Sequence, residues 1–142
     1  MSDPLDPAIA TVNALVGRAW ELGGFDCWGF IRVVYSAAYG IGLPALPGVD
    51  GSDHRASAQA LATCQRSGDW QPVTSIPLTG DVVIMGRRAR PHHVGLWLAC
   101  EGGVIAHCDQ EHGVIVQTRR QIVAGGWGGF AWYRHLLKAG DP

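Results

Sequence analysis

Gly24-Phe25-Asp26-Cys27-Trp28-Gly29, continued by Phe30-Ile31-Arg32-Val33-Val34-Tyr35, fixes the first half of the fold. Apolar residues recur at Cys27, Phe30, Ile31, Val34 and Ala38, which is helical spacing. Asp26 supplies an acidic cap, and Gly40-Ile41-Gly42 before Pro44 supplies the stop. Upstream, Asp6-Pro7 reads as the start of another helix with Ile9, Val12, Val16 and Ala19 on one face, ended or broken by Gly17. Downstream, Leu43–Gly51 is loop, and Ser52 or Asp53 caps a third, Ala-rich helix reaching about Arg66. After Pro77 the period changes. Asp81–Met85, Val94–Leu98, Val104–Cys108, Val114–Thr118 and Phe130–His135 read as short strands. Helices first and strands afterwards predict an α+β fold, with N-terminal helices on an antiparallel sheet of about five strands.

The chain has 142 residues, which predicts a single domain over 1–142. Hydrophobic residues make up 47%, excluding intrinsic disorder. A net charge of −1 gives no electrostatic case for nucleic acid or an anionic membrane. The N-terminus lacks a basic n-region and a long apolar run, so neither a secretory signal nor membrane insertion is expected. Cys27, Cys64, Cys100 and Cys108 form no CxxC pair, and thiols made in a reducing cytoplasm are expected to be free.

Cys27 stands at the first turn of its helix, where unpaired N–H groups and the helix dipole favour thiolate over thiol. The flanking glycines let a substrate backbone approach, and the Cys27 N–H is suited to an oxyanion hole. His93 opens one strand and His107 lies on the next, joined by the short turn Ala99–Gly103. Antiparallel neighbours bring two such imidazoles side by side, one to take the thiol proton and one to orient it. A zinc reading of His92, His93, His107, Cys108, Asp109 and His112 competes. It lacks a familiar ligand spacing, and adjacent His92 and His93 are expected on opposite faces of a strand. No metal or other cofactor is expected. Cys100 and Cys108 flank one turn and strand, while Cys64 reads as packing. Arg87, Arg88 and Arg90 form a basic cluster suited either to an anionic stem peptide or to a solvated loop. The Gly125–Gly129 loop with Trp127 reads as a lid or an assembly contact.

GFDCWGFIRVVY, GDVVIM, HHVGLWL and VIAHC, in that order, resemble the NlpC/p60 family of papain-like cysteine peptidases, from roughly Val16 to His135. The resemblance implies a papain-like fold with Cys27 as nucleophile, His93 as general base and His107 as third member; His112 is the alternative to His107. It puts Trp20, Asp26 and Trp28 at the substrate. Trp20 departs from the Tyr that the family often has in PY-x-x-GG. Trp28 after the cysteine, Gly40-Ile41-Gly42-Leu43-Pro44 and Trp132-Tyr133-Arg134 are most similar to the phage tail-tip branch, the K-like tail assembly proteins.

The resemblance therefore implies hydrolysis of peptidoglycan stem peptides by a virion tail-tip component, with other tail-tip proteins as partners. Neither a wall-binding module nor a leader is apparent, and a virion component needs neither. Two other readings stay open: a structural tail-tip protein with a masked or vestigial site, and an envelope-targeted amidase effector.

Overall fold

A computed structural model of the chain describes residues 6–46, 62, 66–87 and 90–139. The third, Ala-rich helix expected up to Arg66 falls largely outside the described residues, as do Cys64 and Arg88. Helix α1 spans Pro7–Leu15. Asp6 caps it by accepting the Ala8 N–H at 2.9 Å, and Ala8 and Val12 are its buried residues. Val16 is half exposed and lies past the helix end, off the face that the periodicity assigned to it. Helix α2 spans Cys27–Tyr39 and closes on Gly40, whose left-handed φ of 65° suits glycine. Tyr39 Oη donates to the Asp6 carboxylate at 2.8 Å, tying the end of α2 to the start of α1.

Six strands follow: β1 Trp70–Pro72, β2 Val82–Arg87, β3 Arg90–Leu98, β4 Val104–Asp109, β5 Gly113–Gln117 and β6 Gly128–His135. They form one antiparallel sheet in the order β1-β6-β2-β3-β4-β5. The α+β class is as expected, but the sheet has six strands, not five. The additional β1 is only three residues long and ends in Pro72, which cannot donate to a ladder and so suits an edge. Helix α3, Arg119–Ala124, was also not expected. Its Thr118 side chain accepts the Gln121 N–H while Gln121 answers on the Thr118 N–H, a capping box written in the sequence as Thr118-Arg119-Arg120-Gln121. A short helix α4, Leu136–Ala139, ends the described chain.

The sheet is covered on both faces. Val82, Ile84, Val94, Leu96 and Ala106 share one core with Phe30, Ile31 and Val34 of α2 and with Ala8 and Val12 of α1. Val83, Met85 and Ile105 point the other way, to Ile122 of α3 and Trp127. This is why β2 reads as an unbroken apolar run instead of alternating. No helix among the described residues is long and apolar enough to cross a membrane.

One ion pair locks the centre of this arrangement. Asp81, fully buried before β2, receives Arg134 of β6 in a fork, Nε to Oδ1 at 2.8 Å and Nη2 to Oδ2 at 2.7 Å. It also accepts the Leu78 N–H at 2.8 Å, and Tyr35 Oη donates to the neighbouring Gly80 carbonyl. Replacing Arg134 leaves a buried carboxylate without its counter-charge. Arg134→Met is expected to lower stability by about 3 kcal/mol, read as a shift in the urea midpoint at unchanged m-value.

Candidate active site

The first turn of α2 is held by its own neighbours. Asp26 Oδ1 accepts the Gly29 N–H at 2.7 Å, and the Phe30 N–H donates to the Asp26 carbonyl at 2.9 Å. A Cβ on Gly29 would overlap the Gly24 carbonyl oxygen. Gly29 therefore serves the chain's own loop-to-helix contact, not the approach of a substrate backbone.

This turn drives Cys27 against the sheet where β3 and β4 part. Trp97 donates to the Asp81 carbonyl at 2.8 Å and accepts from the Gly80 N–H at 2.9 Å. Odd-numbered residues of β3 thus turn their N–H toward β2, and even-numbered ones toward β4. The β3–β4 ladder pairs only Leu96–Leu98 with Val104–Ala106. Val94 lies past its end, and its backbone N–H hydrogen-bonds the Cys27 sulfur. Cys27 therefore abuts the residue that follows His93.

His93 Nε2 lies 2.9 Å from His107 Nδ1, with the rings edge to face. His107 Nε2 lies 2.9 Å from Gln117 Oε1. His107, not His112, meets His93; His112 is exposed and bonds Asp109 at 3.0 Å. The expected opposition of His92 and His93 does not hold. The β2–β3 register jumps from Met85↔His93 to Gly86↔Pro91, so His92 is an extra residue in a bulge. Both imidazoles consequently reach Trp127, whose ring stacks on His93 at 4.5 Å and 17° and lies 5.3 Å from His92. Arg87 holds the indole from outside the core, its guanidinium 3.9 Å from the ring centre and its Nη2 donating to the Gly125 carbonyl at 2.9 Å. Trp127 is thus packed onto the histidines, and only the segment around it resembles the loop expected from its glycines.

Burial dominates the electrostatics. It pushes the Cys27 thiol well above its usual value, the Asp26 charge adds to this, and the Val94 N–H opposes it. The thiolate expected from the helix dipole is therefore not the resting form. Burial also holds His93 well below 6.5, helped by His107, His92 and Arg87. His107 is lowered by burial too, against the pull of its bond to Gln117. At rest the Cys27 thiol and both imidazoles are neutral.

A cleft of about 200 Å³ opens over this group, lined by Trp20, Arg87, His92, His93, Cys108, Trp127 and the segment Asp109–His112. Cys27 is not part of this lining and is 1% exposed. Of the expected substrate residues, Trp20 lines the cleft. Asp26 is engaged as the helix cap. Trp28 is a core residue, its Nε1 donating to the Pro44 carbonyl at 2.8 Å and its ring facing Trp70. Cys100 and Cys108 are both free thiols. Among the described residues, no three His, Cys, Asp or Glu side chains are grouped to hold a metal ion. The sequence reading missed Gln117 and the stacking role of Trp127. The first had a legible signal, a polar residue ending an otherwise apolar strand; the second depends on the bulge.

A search of curated proteins finds no match. A profile of the NlpC/P60 family matches residues 16–127, a span that holds Cys27, His93, His107 and Gln117. It runs from the end of α1 to the indole that covers His93, so the match takes in every part of the site just described. Cysteine-type peptidases of the bacterial cell wall are the class this points to. On that match, which covers well over half of its length, the chain belongs to the NlpC/P60 family.

Proposed function

We propose that this chain is a cysteine endopeptidase of papain-like arrangement acting on peptidoglycan stem peptides, with Cys27 as nucleophile, His93 as base and His107 as the group that orients it. The observation that carries the reading is the sulfur of Cys27 seated on the N–H of Val94, the residue that follows a histidine whose Nε2 is already engaged by His107. That engagement leaves Nδ1 of His93 to receive the thiol proton. The sulfur then bonds to the scissile carbonyl carbon, and the oxyanion is stabilised at the N-terminal amides of α2. Collapse breaks the C–N bond, and the proton on His93 leaves with the amine. Water, deprotonated by His93, attacks the thioester and restores the free thiol. Because both partners rest neutral, the proton moves from Cys27 to His93 in the course of the reaction.

The finer reading places the protein at a phage tail tip with other tail-tip proteins. Its support is the likeness of Trp28, Gly40–Pro44 and Trp132-Tyr133-Arg134 to that branch. A structural role with a masked site draws on one observation, the burial of Cys27. Slow alkylation does not separate the two readings, since a neutral thiol alkylates slowly in either; turnover does.

Cys27→Ala is expected to abolish release of stem-peptide fragments from purified peptidoglycan while leaving the circular dichroism spectrum and melting temperature close to wild type. Equal release by both proteins would reject the peptidase. The pH profile follows from His93, which faces His107, His92 and Arg87 and is buried. A base with a lowered pKa stays competent as pH falls through 6.5, the ordinary imidazole value. The acid limb of kcat/KM is therefore expected below pH 6.5, and a limb at or above it would contradict the neutral buried base.

A further inference from the structure

We infer that Gln117 is a positioning residue that sets the tautomer of both histidines and so decides which nitrogen of His93 bears a lone pair. The sheet itself brings it there. In the β4–β5 register Ile105 pairs with Gln117 and His107 with Ile115, so Gln117 and His107 are diagonal neighbours.

A carboxamide oxygen only accepts hydrogen bonds. Gln117 Oε1 lies 2.9 Å from His107 Nε2, so that nitrogen carries the hydrogen. A neutral imidazole carries only one, which makes His107 Nδ1 an acceptor. Its partner at 2.9 Å is His93 Nε2, which must therefore donate. His93 Nδ1 is left unprotonated, the state a base requires. Turning the carboxamide over would set an NH2 group against His107 Nε2, reverse both bonds and move the His93 proton to Nδ1. One amide orientation at the end of β5 thus controls the basic atom two side chains away. Both rings are buried and held neutral, so neither has a second proton to make the distinction irrelevant.

The rate consequence rests on the peptidase reading; the tautomers do not. Imidazole 15N shifts of wild-type protein at pH 7.5 are expected to show the Nε2–H form at both His93 and His107. An Nδ1–H form at either would overturn the inference. Gln117→Met keeps the side-chain length and removes the acceptor. It is expected to give mixed tautomers and lower kcat by about 10- to 100-fold with KM little changed, within the ~10²–10⁴-fold supplied by general base catalysis. Gln117→Glu, whose carboxylate can only accept, is expected to restore the Nε2–H forms and most of kcat. Unaltered tautomers and kcat in Gln117→Met would overturn the inference. If the wild type shows the expected tautomers but hydrolyses no stem peptide, the peptidase reading fails and the assignment of Gln117 stands.

Discussion

The site depends on the wedge that α2 drives between two separating strands. β3 and β4 stop pairing at Leu96 and Ala106, and just past that point the backbone N–H of Val94 lies off their ladder. The Cys27 sulfur takes it. Everything that aims the helix, from the Asp26 cap to the tight contact of Gly29 with Gly24, thereby also aims the sulfur. On the far side of the same opening, the departing strands leave room for His93 and His107 to meet. Local capping and sheet geometry are thus one constraint seen from two sides.

Two opposing effects act on the thiol, and their sizes settle its state. A helix terminus favours negative charge by typically 0.3–1 kcal/mol, and up to about 2 in partly buried settings. Removing a charged group from water costs several kcal/mol. With Cys27 almost wholly enclosed and the Asp26 carboxylate adjacent, desolvation wins. His93 is governed by the same term with the opposite sign of proton uptake, since for a histidine the charged form is the protonated one. The pair therefore agrees on neutrality, and an arriving substrate has to supply the surroundings in which charge can develop.

Much of this was legible in the sequence because it was local. The 3.6 period from Cys27 and the stop at Gly40 gave α2, and short apolar runs bounded by turns gave five of the six strands. The meeting of His93 with His107 followed from two strands joined by a tight turn. What was illegible depended on pairings distant along the chain. Arg134 could not be matched to Asp81 without knowing that β6 inserts beside β2. Trp127 could not be set on His93 without the bulge at His92, which defeats simple alternation. The α3 capping box was in plain view but sat directly after a strand whose end absorbed Thr118.

The bulge at His92 also bears on how the hairpin between β2 and β3 tolerates changes in length. Side chains along a strand alternate with period two, so any shift of one residue reverses their facing. The extra residue sits between the hairpin's tip and His93, and from Met85 inward the register is regular again. Deleting His92 would heal the irregularity and leave His93 paired as before, yet strip one imidazole from beneath the indole. Losing a residue from the regular part of β3 instead would turn the imidazole of His93 to the opposite face of the sheet, away from Trp127 and His107. Two single-codon deletions a few positions apart in the gene would thus have opposite fates, one trimming the wall of the cleft and the other dismantling its centre.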